Sequence, residues 1–129
     1  MADRMADEFV RRLQEAERSR DAGPLVELFA ADAELVGPAR SEAEAGGDGA
    51  RRFWDAYLKA FRRVRSTFTR VFAADGTAVL EWESDGELPD GAPIRYTGVS
   101  ILETSGDRVH RFRTYYDSAK FLAHETAGV

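Results

Sequence analysis

The spacing of apolar residues changes from helical to strand-like after residue 64, and this change limits the folds open to the chain. Up to that point apolar residues recur every three or four positions, as in amphipathic helices. Beyond it they alternate with polar residues, as in half-buried strands. Helices followed by an unbroken run of strands predict an α+β domain, in which the helices pack on one face of an antiparallel sheet.

Three helices are predicted in the first half of the chain, at residues 4–19, from Gly23-Pro24 onward, and at residues 50–64. Their inner faces are Met5, Phe9, Leu13 and Ala16; then Leu25, Leu28 and Phe29; then Phe53, Trp54, Tyr57, Leu58 and Phe61. A short strand at 33–37 and a loop at 37–49 precede the third helix. Four strands follow, at 66–74, 77–87, 93–104 and 108–117, with Asp75-Gly76 as a hairpin turn. A last short helix is predicted at 118–124.

Composition narrows the class of protein further. The 129 residues predict one domain, 1–129, and a 43% hydrophobic content provides it with a core. The absence of cysteine excludes disulfides and thiolate chemistry, and two histidines make a metal site an unfavoured interpretation. A net charge of −5 disfavours nucleic acid as a partner. With no apolar run of signal-peptide or membrane-spanning type, we expect a cytoplasmic protein with no cofactor and no membrane partner.

Four phrases of the sequence, taken with this order of elements, carry a family resemblance: DAGPLVELFAADAELV, GGDGARRFWDAYLKAF, DGTAVLEWES and GDRVHRFRTYYDSAKFL. They resemble the SnoaL-like branch of the NTF2-like superfamily. The resemblance implies a cone, in which a curved, mostly antiparallel sheet wraps the N-terminal helices and leaves an internal pocket. That family includes polyketide cyclases, ketosteroid isomerases and limonene-epoxide-hydrolase-like enzymes, together with non-catalytic binding and dimerisation domains.

The strand from Thr77 predicts which side chains face inward. Ala78, Leu80, Trp82 and Ser84 alternate there with Val79, Glu81, Glu83 and Asp85. Because the acids share one face, the Leu80–Trp82 face is predicted to face the helices. The family register extends the inward set to Tyr96, Gly98, Ser100 and Leu102, and to His110, Phe112, Thr114 and Tyr116. This match requires a three-residue loop at 105–107, since a two-residue loop would turn every side chain over.

The inward set predicts a pocket for a small hydrophobic or aromatic ligand. Its predicted ligand-binding residues are Trp54, Tyr57, Trp82, Ser84, Tyr96, Phe112 and Thr114. Epoxide-hydrolase relatives carry their catalytic groups at positions occupied in this sequence by Trp82, Ser84, Thr114, Leu35 and Gly37. None of these five residues can take over those roles, so that chemistry is not expected.

The first functional hypothesis is a small-molecule-binding SnoaL-like protein, which, if it is an enzyme, is an acid/base isomerase or cyclase acting on a carbonyl-containing aromatic or polycyclic compound. It assigns proton handling to Asp117 and His110 and orientation of the substrate to Tyr116. Each residue has a structural alternative: Asp117 as the N-cap of the last helix, His110 as a buried or rim hydrogen-bonder, and Tyr116 as a buried tyrosine with a satisfied hydroxyl. The second hypothesis is a non-catalytic ligand-binding or dimerisation domain.

The outer face of the sheet is also unusually apolar. It is predicted to carry Val79, Val99, Ile101 and Tyr115, with Phe72 and Phe68 added by a two-residue Asp75-Gly76 turn. Arg111 and Arg113 lie on the same face and frame it. Because so apolar a face is unfavourable in water, we expect a homodimer formed sheet to sheet.

Overall fold

The computed structural model describes residues 2–38 and 48–121, and its helices and strands lie within those ranges. The helices are α1 (Ala2–Ser19), α2 (Gly23–Val26) and α3 (Gly49–Lys59), and the strands are β1 (Phe29–Val36), β2 (Arg63–Ala74), β3 (Thr77–Glu87), β4 (Pro93–Ser105) and β5 (Arg108–Tyr116). Most of the predicted 37–49 loop and the end of the predicted 118–124 helix fall outside the described residues.

The five strands form one curved sheet in the order β1-β5-β4-β3-β2, in which β1 pairs parallel with β5 and the other pairs are antiparallel. The helices fill its concave side, as expected for the predicted α+β cone. Phe9 of α1 and the strand residues Leu35, Leu80 and Leu102 are at most 1% exposed and form the centre of the core. On the outer side of α1, Arg12 Nε and Glu8 Oε2 form an ion pair at 2.8 Å.

Two helix boundaries differ from the sequence prediction because the sheet extends further than expected. Helical spacing predicts Phe29 in the second helix, yet it begins β1 and pairs with Val109 of β5. The same spacing predicts Val64 in the third helix, yet it pairs with Gly86 of β3 and is buried. Both residues gain main-chain partners in the sheet while keeping their apolar side chains in the core, so helical spacing alone extends the predicted helices too far.

Two of the three β-hairpins have two-residue turns. Asp75 and Gly76 have φ of 52° and 77°, the left-handed backbone of a two-residue type I′ turn, which confirms the predicted hairpin. The β4–β5 connection has two residues, Gly106 and Asp107, because Ser105 pairs with Arg108. The predicted three-residue loop is therefore wrong. The two-residue loop turns Val109, not His110, toward the core.

A bulge at His110 then restores the predicted parity of β5. Thr104 pairs with Val109 and Glu103 with Arg111, which leaves His110 as an extra residue without an opposite partner on β4. His110 is exposed, so its predicted inward position is wrong. Beyond the bulge, Phe112 lies opposite Leu102, and the inward positions of β5 continue as predicted.

A second bulge, in β2, corrects the predicted outer face. Phe68 pairs with Trp82 and Arg70 with Glu81, so Thr69 is the extra residue on β2. Phe68 therefore faces inward and packs edge-on against Phe9, with ring centroids 6.5 Å apart. Its predicted outward position is wrong, because the bulge reverses the side on which residues before Thr69 lie.

Candidate functional site

A cavity of about 440 Å³ lies between helices α1 and α3 and the concave face of the sheet. Twenty of the described residues line it: Phe9, Leu13, Gly37, Phe53, Trp54, Ala56, Tyr57, Ala60, Phe61, Ser66, Phe68, Trp82, Ser84, Tyr96, Ser100, Phe112, Thr114, Tyr116, Ser118 and Phe121. None of these is Asp, Glu, Lys, Arg or His. The wall is thus aromatic, with a few neutral hydroxyl groups, and its volume is typical of small-molecule sites.

One hydrogen-bonded group of the wall joins β3, β4 and β5. The indole Nε1 of Trp82 donates to Ser100 Oγ at 2.9 Å, and Ser100 Oγ lies 2.9 Å from Thr114 Oγ1. This arrangement depends on Gly98, since a Cβ there would stand 2.4 Å from Trp82 Cζ2 and 2.5 Å from the Tyr115 carbonyl oxygen. The missing side chain lets the indole ring lie across β4 and reach Ser100.

A second hydrogen-bonded group, on the β2–β3 side, includes a buried acid that the sequence analysis did not single out. Glu17 of α1 is 5% exposed. Its Oε1 accepts from the Ser66 amide at 2.8 Å, and its Oε2 accepts from Tyr57 Oη and Ser66 Oγ, both at 2.7 Å. Ser66 Oγ also lies 2.6 Å from Ser84 Oγ. Tyr57, Ser66 and Ser84 line the cavity, so Glu17 stands directly behind its wall.

Burial controls the acidity of this group. Burial raises the pKa of Glu17 above its ordinary value, although hydrogen bonds from Ser66 and Tyr57 and the charge of Arg18 act in the opposite direction. The pKa of Tyr57 is raised well above its ordinary value, first by burial and then by the nearby Glu17 charge. The pKa of Tyr96 is raised as well, again chiefly by burial. Both tyrosines therefore remain protonated hydroxyl donors at neutral pH.

All seven residues predicted to bind a ligand line this cavity: Trp54, Tyr57, Trp82, Ser84, Tyr96, Phe112 and Thr114. Their role in binding stays a prediction. Trp54 is notable because its indole Nε1 is buried and has no hydrogen-bond partner among the described residues. Buried indole N–H groups usually have one.

The three predicted catalytic residues do not come together. Tyr116 lines the cavity, packed against Trp82 and Tyr96 with ring centroids 6.2 and 5.2 Å away. Asp117 is exposed, and its Oδ1 accepts a hydrogen bond from the Ala119 amide at 3.0 Å. This is the hydrogen bond expected of an N-cap, the structural alternative for this residue. His110 is exposed at the β5 bulge. Neither Asp117 nor His110 is among the residues that line the cavity.

Neither a metal site nor a membrane-spanning helix accompanies the cavity within the described residues. No group of three or more His, Cys, Asp or Glu side chains could hold a metal ion there. No helix in the described ranges is both long and apolar enough to cross a membrane.

The family model of the SnoaL-like domain matches residues 10–112. The chain belongs to the SnoaL-like family. No curated protein matches this SnoaL-like chain.

Solved structures share the fold of this SnoaL-like protein over nearly their whole length. An NTF2-like protein from Anabaena variabilis has a TM-score of 0.82 at 16% identity, covering 91% of this chain and 90% of its own. A protein from Bacillus subtilis described as a candidate isomerase has 0.80 at 23%, covering 93% and 91%. A Catenulispora acidiphila protein with a ketosteroid isomerase-like fold, in complex with trimethylamine, has 0.76 at 24%, covering 89% of each chain.

Proposed function

We propose that this SnoaL-like protein binds a flat, largely apolar organic molecule in the cavity. The proposal rests on the wall: aromatic rings surround about 440 Å³, and hydroxyl and indole groups supply its polar contacts. Among the described residues the wall has no charged side chain, which favours a neutral ligand over a phosphate or a carboxylate. The Catenulispora protein, which has the same fold, was solved in complex with trimethylamine, and this supports small-molecule binding by the fold.

The hydroxyl groups would orient such a ligand from two sides. Ser100 and Thr114 stand on β4 and β5, whereas Ser66 and Ser84 stand on β2 and β3. A planar ring between them would contact Tyr96, which is stacked on Phe61 at an interplanar angle of 10°. A polycyclic aromatic compound with one or two hydroxyl or carbonyl oxygens combines the required shape and polarity.

Binding is tested by titrating the protein with 2-naphthol and following tryptophan fluorescence. Ala56→Phe places a ring in the cavity, because Ala56 lines it, while Ala74→Phe adds the same ring at an exposed position of β2. We expect saturable binding to the parent protein and to Ala74→Phe, and binding at least about tenfold weaker to Ala56→Phe. Equal affinity in the two variants, or no saturable binding to the parent protein, would contradict the proposal.

A second candidate function, acid/base isomerisation or cyclisation of a carbonyl compound, is favoured by the Glu17–Tyr57 hydrogen bond of 2.7 Å. A C–H bond next to the carbonyl would break, and its electron pair would move toward the carbonyl oxygen. The proton would pass to Tyr57 Oη as the tyrosine proton moves to the ionised Glu17, and it would return to another atom of the substrate. Ser100, Thr114 or Tyr116 would hydrogen-bond the carbonyl oxygen. The candidate isomerase from Bacillus subtilis agrees with this class of reaction.

Proton exchange from 2-tetralone in deuterated water, followed by NMR, tests the catalytic candidate without knowledge of the natural substrate. We expect exchange above the buffer rate, lowered about tenfold or more in Glu17→Gln and in Tyr57→Phe. Glu15→Gln is the matched control, because Glu15 is an exposed acid of the same helix. Exchange at the buffer rate in the parent protein would exclude this candidate and leave the binding function in place.

We also propose that a second copy of this chain covers the outer face of the sheet. Phe72 and Tyr115 are 61% and 48% exposed there. The face also carries both signs of charge, with Arg113 bonded to Glu103 at 2.9 Å, so a two-fold related copy can be complementary to it. Sedimentation at micromolar concentration should show a dimer, and Tyr115→Glu should shift it toward monomer. A monomeric parent protein would refute the proposal.

A further inference from the structure

Glu17 is a buried acid behind the cavity wall, and the direction of its hydrogen bonds has consequences for any ligand. Both of its oxygens are occupied: Oε1 by the Ser66 amide, and Oε2 by the hydroxyls of Tyr57 and Ser66. The amide can only donate, whereas a hydroxyl can donate one hydrogen and accept others. The hydrogen positions of this group can therefore be worked out for each charge state of the acid.

When Glu17 is ionised, it accepts all three hydrogen bonds, because a carboxylate has no hydrogen to give. Tyr57 and Ser66 then each use their single hydroxyl hydrogen on Glu17. The 2.6 Å contact between Ser66 and Ser84 requires a donor, and only Ser84 has a hydrogen left to supply it. All three hydroxyls thus direct hydrogens away from the cavity, and what they offer to a ligand is oxygen lone pairs.

When Glu17 is protonated, its new hydrogen cannot go to the Ser66 amide and must go to Tyr57 Oη or Ser66 Oγ. If Tyr57 accepts it, the phenolic hydrogen is free to point into the cavity. If Ser66 accepts it, Ser66 donates to Ser84 instead, and the Ser84 hydrogen is released. Tyr96 lies on β4 opposite Ser84. If the Ser84 hydrogen turns toward the Tyr96 hydroxyl, the Tyr96 hydrogen is released in the same way. Every route frees one hydroxyl hydrogen on a residue that lines the cavity, so one donor becomes available to the wall.

We propose that Glu17 determines which ligands the cavity accepts: ionised, it makes the Tyr57–Ser84 wall an acceptor for a ligand hydroxyl, and protonated, it makes that wall a donor to a ligand carbonyl. The inference rests on the proposed binding function, which it deepens by naming the chemical class recognised in each state. Glu17 acts as a positioning residue, since it reaches the ligand only through the hydroxyls of other residues.

Among the groups that face one another around Glu17, Glu17 is the one that changes charge. Arg18, on the same helix, favours the ionised form. Tyr57 from α3 and Tyr96 from β4 face it with raised pKa values and stay protonated. The elements β2 and β3 contribute Ser66 and Ser84, which do not titrate. Because burial raises the pKa of Glu17, its protonated form persists to higher pH than that of an exposed glutamate.

Three naphthalene probes of nearly equal shape test this inference by isothermal titration: 2-acetylnaphthalene, which only accepts, 2-naphthol, which can also donate, and 2-methylnaphthalene, which does neither. The pH at which Glu17 titrates is first located by carbon-13 NMR of its side-chain carboxyl. We expect 2-acetylnaphthalene to bind about fivefold to tenfold more tightly below that pH than above it, the worth of one hydrogen bond. The affinity of 2-methylnaphthalene should not change, and 2-naphthol should change least of the two polar probes.

Two variants separate Glu17 from other sources of pH dependence. In Glu17→Gln the amide nitrogen supplies a permanent donor, so 2-acetylnaphthalene should bind tightly at every pH. In Glu15→Gln, which removes an exposed charge from the same helix, the pH dependence should persist. If Glu17→Gln does not fold, the comparison of the three probes on the parent protein still tests the inference.

The outcomes distinguish this inference from the function on which it rests. If the probes bind but 2-acetylnaphthalene shows no change across the Glu17 titration, or if Glu17 does not titrate, the inference is wrong and the binding function stands. A pH dependence that remains in Glu17→Gln overturns it equally. If none of the three probes binds at any pH, the proposed function itself fails.

Discussion

Replacing Glu17 by alanine removes the acceptor of three hydrogen bonds at once, and the structure allows the cost to be worked out partner by partner. The Tyr57 hydroxyl can turn toward the cavity, and Ser66 Oγ can donate to Ser84. The Ser66 amide is buried and has no such alternative, so it loses about 1–3 kcal/mol. With the void left by the side chain, we expect a total loss of about 2–4 kcal/mol in the free energy of unfolding.

Urea denaturation at one fixed pH measures this loss. Glu15→Ala, at an exposed position on the same helix, should stay within about 0.5 kcal/mol of the parent protein. Glu17→Gln keeps an oxygen for the Ser66 amide and a nitrogen that can donate to Tyr57 or Ser66, so it should lose far less than Glu17→Ala. A Glu17→Ala variant as stable as Glu15→Ala would refute the reasoning, because it would show that the hydrogen bonds of Glu17 contribute nothing net.

The raised pKa of Glu17 also gives this prediction a pH signature. Between the unfolded and the folded pKa, the folded state binds the proton more tightly than the unfolded chain does. The stabilisation is therefore complete below the ordinary glutamate value and is lost as pH rises through the folded pKa. Relative to Glu17→Gln, the parent protein should lose stability with rising pH in that window, by at most about 1.4 kcal/mol per pH unit. A difference that is constant, or of opposite sign, would contradict burial as the dominant influence on this acid.

Three further predictions concern the cavity wall and the residues found outside it. Gly98→Ala should lose about 2 kcal/mol or more in urea denaturation, because its Cβ would stand 2.4 Å from Trp82; unchanged stability would contradict the close approach. Trp82→Phe removes the hydrogen bond to Ser100 and should lower stability by about 1 kcal/mol or more, with a measurable change in 2-naphthol affinity. His110→Ala and Asp117→Asn should leave 2-naphthol affinity within about twofold of the parent value, and a tenfold loss would return either residue to the site.

The sequence predicted the architecture well because the architecture depends on patterns that many residues share. The alternation of Leu80, Trp82 and Ser84 with acids is repeated along β3, so no single residue decides it, and all three are buried as expected. The Asp75-Gly76 turn is also predictable from the sequence, since both of its residues adopt a positive φ at low cost. These features account for the β2–β3 hairpin and for the side chains that β3 contributes to the cavity wall.

Two bulges were not predictable because a bulge adds one residue without changing the local pattern. His110 could equally continue the alternation of β5 or stand outside it, and Val109 is apolar enough to take the inward place. The choice depends on the length of the Gly106-Asp107 turn, which in turn depends on pairing with β4. One extra residue moved His110 from the predicted pocket wall to the surface.

Glu17 was missed for a different reason. It follows Leu13 by four residues and so lies on the buried side of α1, a signal that was present in the spacing. An acid in such a place is ordinarily solvated at the edge of the face. Its burial is explained only by partners 40 and 49 residues away, Tyr57 and Ser66, whose proximity depends on the completed fold.

The end of α1 brings these distant partners together. Arg20, three residues after Glu17, has a φ of 66° and leaves the helical conformation. Its Nη2 donates to the carbonyl oxygens of Leu58 and Phe61, at 2.6 and 2.7 Å, where α3 ends. A cation bonded to the last carbonyls of a helix is stabilised by the helix dipole, so this contact fixes the C-terminus of α3 against that of α1. Tyr57 precedes Leu58 directly, and the anchor that holds Leu58 therefore also holds the Tyr57 hydroxyl within reach of Glu17. Arg20, which does not line the cavity, thus positions both the acid behind the cavity wall and the Tyr57 hydroxyl bonded to it.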